Sequence, residues 1–150
     1  MLILLRHAKA GSRKQFDGED FLRPLTDKGR AQSAALVEQM KELPITAILT
    51  SAYVRCSQTV EPLSEATGIV IASNEALAEG SASDAQVALL DSIAGQTVVL
   101  CSHGDVLGSM LELLKQRGFP VEPDRCEKGS MWLIHESGEA EYVSPPSSEA

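Results

Sequence analysis

The chain has 150 residues, 43% of them apolar and 23% charged, which are the proportions of one globular domain long enough to bury a sizeable core. A net charge of −8 and an aromatic content of 4% exclude a general binder of nucleic-acid polymers, because such binders are built from Lys and Arg and stack bases on aromatic rings. The three cysteines (Cys56, Cys101 and Cys126) are widely spaced and form neither a disulfide framework nor a zinc motif, and no apolar run suits a signal peptide or a membrane span. The expectation is a cytoplasmic protein with no membrane partner.

The charge is uneven. Residues 1–30 hold seven bases against four acids, a net of +3, and the remainder carries −11. A basic region on an acidic chain suits a small anion held in a pocket better than a polyanion laid along a surface.

Five apolar residues, Met1 to Leu5, run directly into Arg6 and His7 and predict a buried first strand that ends in chemistry. Residues 11–26 are polar, contain Gly11, Gly18 and Pro24, and read as a long functional loop. Thr26 is placed to cap a helix over 27–43, with Ala31, Ala34, Ala35, Met40 and Leu43 as its inward stripe, and Pro44 stops it. Ile45 to Thr50 predicts a second strand. A helical stretch over 52–67 contains Pro62 and predicts a kink or two short helices. Gly68 closes it before a third strand, Ile69 to Ala72. After a loop through Glu79 come a helix over 82–94 and a continuously apolar, central strand over 97–101. Leu107, Met110, Leu111 and Leu114 mark one face of the next helix, ended by Gly118 and Pro120, and Met131–His135 with Ala140–Val143 read as a hairpin or two edge strands. The alternation argues an α/β fold with a largely parallel sheet, one domain over 1–143, and a disordered tail over 144–150.

In open α/β sheets ligands bind beyond the carboxyl ends of the strands, so the residues just past each strand matter most. The first strand delivers Arg6 and His7; the second, Ser51 and, a turn later, Arg55; the third leads to Glu79; the fourth delivers Ser102, His103, Gly104 and Asp105. Guanidinium forks bind phosphate oxygens bidentately, a neutral imidazole is a competent nucleophile, and a carboxylic acid can protonate a leaving oxygen. The backbone amides after His103 open a helix and offer an anion site at Gly104. This is a tool set for phosphoryl transfer. No P-loop and no Gly-x-Ser-x-Gly occur, and no ligand cluster supports metal catalysis or implies a cofactor.

Arg6-His7, Ser51-x-x-x-Arg55-x-x-Gln58-Thr59 and Ser102-His103-Gly104, in that order and spacing, resemble the histidine phosphatase superfamily, the phosphoglycerate-mutase-like phosphatases. The short length, the Arg23-Pro24-Leu25-Thr26 segment and the absence of a large inserted cap look most like the SixA-type phosphohistidine phosphatases. The resemblance covers roughly residues 2–135. It implies a three-layer domain with helices on both faces of the sheet and a metal-independent phosphatase in which His7 becomes phosphorylated. Arg6, Arg55 and His103 would form the phosphate pocket, Glu79 would be the proton donor with Asp105 as its competitor, and Arg23 would approach the phosphate. Ala8 stands where family members commonly have Gly, and its methyl is expected to narrow the approach to the nucleophile. The implied substrate is phosphohistidine on a protein. The alternative is a small phosphorylated metabolite or nucleotide, for which Lys9, Arg13 and Lys14 would contact a second phosphate. A non-catalytic phosphoryl-binding module is the reading from another class.

Overall fold

The computed structural model describes residues 1–147. In chain order it contains β1 (Leu2–Arg6), α1 (Asp27–Met40), β2 (Ala47–Thr50), α2 (Val54–Thr67), β3 (Ile71–Ser73), α3 (Ser83–Ser92), β4 (Val98–Ser102), α4 (Gly104–Gln116), β5 (Met131–Ile134) and β6 (Ala140–Val143). Short 3-10 turns at Asp20–Leu22 and Glu75–Leu77 interrupt the two long loops. The six strands form one sheet in the order β3-β2-β4-β1-β5-β6. The pairs β3–β2, β2–β4 and β4–β1 are parallel, while β5 and β6 run antiparallel at the edge.

Alternation along the strands divides the core into two layers. Ile3, Leu5, Val99 and Cys101 pack with Leu36, Met40, Val60 and Leu63 of α1 and α2. Leu4, Val98 and Leu100 pack on the opposite face with Leu90 of α3, with Leu107, Met110 and Leu111 of α4, and with Trp132. All five residues of β4 are buried, as its unbroken apolar character predicts for a central strand.

The structure corrects two readings of the helices. Met40 and Leu43 pack inward as expected, but the rest of the inward face of α1 is Gly29, Ser33 and Leu36 rather than Ala31, Ala34 and Ala35, because the helix lies close to the loop below it. A Cβ on Gly29 would stand 1.9 Å from the Lys9 carbonyl oxygen. Thr26 does cap the helix, its hydroxyl accepting the Gly29 amide at 3.0 Å. Helix α2 is one helix that runs through Pro62, not two short ones. Proline removes the donor to the Gln58 carbonyl, and the Ser33 hydroxyl of α1 donates to that oxygen at 3.5 Å instead.

Loop 11–26 is closed at its base. Ala10 and Leu25 form an isolated antiparallel bridge, and the Gly11 amide donates to the Pro24 carbonyl at 3.3 Å. At the other end of the chain residues 144–147 have neither helix nor strand, and the rest of the expected tail, 148–150, lies outside the described residues.

The glycine geometry gives a paired stability test. Gly29→Ala meets a backbone oxygen that has no room to give, and a loss of at least about 2 kcal/mol is expected from such overpacking. At Gly108 in α4 an added Cβ makes only an ordinary contact, 3.6 Å from the Pro123 carbonyl oxygen, so Gly108→Ala should gain about 0.5–1 kcal/mol. Urea denaturation of the two variants checks both signs.

Candidate active site

Parallel pairing of β1 with β4 sets Arg6 opposite Ser102, and the pairing extends one residue further, with the His7 amide donating to the Ser102 carbonyl at 3.1 Å. His7 and His103 therefore leave adjacent strands at one edge, their rings 5.6 Å apart and edge to face. His7 is buried, and its Nδ1–H donates to the Ala8 carbonyl at 2.7 Å. That bond fixes the tautomer and leaves the lone pair on Nε2. Burial, with smaller contributions from the charges of Arg55, His103 and Arg6, holds the His7 pKa down at about 3 despite the opposing pull of the Ala8 bond. A neutral imidazole with a free Nε2 is the form a nucleophile requires.

Residues of α2 fix what surrounds it. Thr59 accepts the Ala8 amide at 3.0 Å and donates to the Arg55 carbonyl at 2.7 Å, tying the residue after His7 to the turn that carries Arg55. Gln58 accepts the Leu25 amide at 2.9 Å and so anchors the Arg23–Thr26 segment. Arg55 is fully buried, and its Nη2 points at His103 Nδ1 from 3.5 Å. On its other side the His103 ring sets Nε2 2.8 Å from Ser51 Oγ, so the imidazole is held between Arg55 and Ser51.

Arg6 donates through Nη1 to the Cys126 carbonyl at 2.6 Å, and its guanidinium lies flat against Gly104. A Cβ on Gly104 would come within 2.9 Å of the guanidinium carbon. Glycine is needed there for Arg6 to reach the site.

These side chains line a cavity of about 510 Å³ whose wall includes Arg6, His7, Arg13, Arg23, Arg55, Glu79, His103, Gly104, Asp105 and Lys128. Glu79 accepts from Arg13 at 3.1 Å and lies 3.5 Å from Arg55. Asp105, also on the wall, accepts the Gly80 amide at 2.9 Å and so ties down the loop that carries Glu79. Asp20 spans the arginines, with Arg23 Nε at 2.9 Å from one carboxylate oxygen and Arg55 Nη2 at 3.2 Å from the other. Among the described residues Arg6 and Lys128 have no carboxylate partner, and no group of three His, Cys, Asp or Glu side chains could hold a metal ion.

Of the residues expected from sequence, the structure brings together Arg6, His7, Arg23, Arg55, Glu79, His103 and Gly104. Lys9 and Lys14 are not on the cavity wall; the Lys9 backbone instead accepts the Thr26 amide at 3.0 Å, and its own amide donates to Gln32. The Ala8 methyl is fully buried and not part of the wall, so it does not narrow the approach to His7. Two residues escaped sequence reading. Asp20 stands three before Arg23, a one-turn spacing hidden inside a loop, and Lys128 sits in a polar stretch with no motif at all.

A model of the histidine phosphatase superfamily (branch 1) matches residues 2–86, and the chain belongs to that family. It is 37% identical over 157 residues to an 8-oxo-(d)GTP phosphatase of Mycolicibacterium smegmatis, an alignment covering 97% of this chain and 48% of that protein. The chain thus spans about half the length of that curated relative. Its fold is similar to that of the protein histidine phosphatase SixA complexed with tungstate, at a TM-score of 0.77 and 21% identity, covering 98% of this chain and 96% of the other. It is also similar to a phosphoserine-bound mutant of the phosphoserine phosphatase from Entamoeba histolytica, at a TM-score of 0.67 and 15% identity, covering 99% and 97%.

The depressed His7 pKa has a consequence for folding. Between the ordinary value of 6.5 and about 3, the unfolded chain takes up a proton at residue 7 that the native state refuses. Stability from this group is complete above that window and is lost as pH falls through it. The urea midpoint should drop from pH 7.5 to pH 4.5, and His7→Gln should show a smaller drop.

Proposed function

We propose that this chain is a metal-independent phosphatase that works through a phosphohistidine intermediate on His7. The observation that carries the reading is the neutral, tautomer-fixed His7 imidazole on the wall of a cavity with five cationic side chains, Arg6, Arg13, Arg23, Arg55 and Lys128. In the first step His7 Nε2 attacks phosphorus, the Nε2–P bond forms and the bond to the leaving group breaks. Arg6, Arg55 and Arg23 take the charge on the equatorial oxygens, which fixed guanidiniums do without reorganising. Glu79, as the carboxylic acid at the start of the cycle, gives its proton to the leaving group and becomes the carboxylate. In the second step water attacks phosphorus, its proton passes to the Glu79 carboxylate, and the Nε2–P bond breaks to release inorganic phosphate and restore neutral His7.

The substrate favoured by the wall is a small molecule with more than one phosphoryl group, such as a nucleoside diphosphate or triphosphate. One transferred phosphoryl group does not need five cations. Among the described residues, Arg13, Arg23 and Arg55 share the carboxyl groups of Asp20 and Glu79, whereas Arg6 and Lys128 face no carboxylate. Lys128 has its pKa lowered, first by burial and then by the neighbouring charges of Arg6, Arg23, Lys9 and Arg55, so it gains from an anion beside it. The 37% identical relative, whose name is that of a nucleotide phosphatase, agrees with this class. The second reading is a phosphohistidine phosphatase acting on a protein. It is favoured by the Arg23-Pro24-Leu25-Thr26 segment and its SixA-type resemblance.

His7→Ala should reduce release of nitrophenolate from p-nitrophenyl phosphate to background, with the wild type unaffected by EDTA; full activity in the variant, or loss to the chelator, would sink the mechanism. A panel of nucleoside diphosphates, sugar phosphates and phosphohistidine peptide separates the substrate readings. Lys128→Ala should lower kcat/KM about ten- to hundredfold for diphosphates, the range of a lost charge-assisted hydrogen bond, and leave p-nitrophenyl phosphate nearly unchanged. Glu79→Gln should cost about 10²–10⁴ in kcat where the leaving group is a poor one and much less for phosphohistidine.

A further inference from the structure

We infer that Asp20 is a positioning residue that fastens Arg23 and Arg55, from two separate segments, into one phosphate-binding unit. The inference rests on the phosphatase reading above and adds a residue to it.

The carboxylate divides its two oxygens between the two arginines, with Oδ1 2.9 Å from Arg23 Nε and Oδ2 3.2 Å from Arg55 Nη2. The backbone repeats the link. The Asp20 carbonyl accepts the Arg23 amide at 3.1 Å, closing the 3-10 turn, and also accepts Arg55 Nη1 at 3.0 Å. Arg13, an exposed side chain, adds a looser contact at 3.4 Å. Arg23 and Arg55 both line the cavity, while Asp20 does not. Its place is beside the guanidiniums rather than in the space a phosphate would fill.

The arrangement answers a physical need. Two guanidinium ions held side by side repel each other, and Arg55 is fully buried, so its charge is costly without a partner. One carboxylate shared between them offsets both penalties and sets the spacing of the forks before any ligand arrives, which spares the ligand that ordering cost. Burial raises the Asp20 pKa, but the Arg23 hydrogen bond and the charges of Arg55, Arg23 and Arg13 outweigh it and bring it below the ordinary value, so the carboxylate is ionised at neutral pH. Arg23 sits in a loop and Arg55 in α2, and through Asp20 the loop and the helix present their charges together.

The test uses vanadate as a phosphate analogue, with its dissociation constant read by calorimetry, alongside kcat and KM for p-nitrophenyl phosphate. Asp20→Ala should weaken vanadate binding at least tenfold and raise KM more than it lowers kcat, while Asp20→Glu should recover part of the loss. Asp20→Ala combined with Arg23→Ala should lose less than the sum of the two single losses, because the carboxylate acts in part through that arginine and in part through Arg55. Urea denaturation of each variant confirms that the measured protein is folded. Vanadate bound as tightly or more tightly by Asp20→Ala would overturn the inference, since Asp20 would then be idle or a competitor for the arginines; losses that simply add in the double variant would overturn it too. A wild-type protein that binds vanadate and turns over substrate, with Asp20→Ala unchanged, removes the positioning role alone. A wild-type protein that does neither removes the phosphatase reading and this role with it.

Discussion

The parallel pairing of β1 with β4 is the constraint on which the site depends. Five registered pairs, Leu2 with Val98 through Arg6 with Ser102, put the ends of two strands level. The bond from the His7 amide to the Ser102 carbonyl carries the pairing one step past the strand ends. Because side chains alternate across a sheet, a slip of one residue would send His7 and the apolar residues before it to opposite faces. The buried positions on both faces forbid that slip: Ile3 and Leu5 belong to one layer and Leu4 to the other. The core therefore enforces the geometry of the candidate site as a by-product of its own packing.

Helix α2 is the second fixed body. It carries Arg55, which reaches toward His103; Gln58, which holds the Leu25 amide; and Thr59, which holds the Ala8 amide. These are one turn apart on a helix, so a single rigid element sets the Arg55 guanidinium, the loop segment and the backbone beside His7 relative to one another. Pro62 in that helix creates a polar gap that α1 fills through Ser33. The small face of α1, Gly29 and Ser33, is explained by the same closeness: the helix that mends α2 must also lie on the Lys9 backbone.

Much of this was legible in the sequence because strand-end chemistry is written locally. Arg6-His7 and Ser102-His103 adjoin the apolar runs that predict their strands, and the alternation of elements predicts that the runs pair. Arg55 was legible from its spacing after Ser51. The rest was not, for reasons that are physical. The inward face of α1 depends on how close the helix comes to a loop, and propensity favours alanine for reasons unrelated to packing. The continuity of α2 through Pro62 is a matter of packing, with the Ser33 hydroxyl of α1 beside the Gln58 carbonyl that the proline leaves without a donor. Lys9 and Lys128 are both lysines in polar segments, and only the fold puts Lys128 on the cavity wall and leaves Lys9 off it. Asp20 lies in a loop where no period exists to read.

The closed base of loop 11–26 has a bearing on how such a site can vary. The Ala10–Leu25 bridge and the Gly11–Pro24 hydrogen bond close it, and the Gln58 side chain holds the Leu25 amide, so the returning segment is anchored to the scaffold independently of the loop's middle. Residues 12–19 form a bight between fixed points, and lengthening a bight is cheap: each doubling of a flexible loop costs only about 0.6 kcal/mol in closure entropy. An insertion there can extend a new rim over the cavity mouth while Pro24, Leu25 and Thr26 stay where they are. The architecture thus separates the part that must keep its geometry from the part free to acquire a different reach.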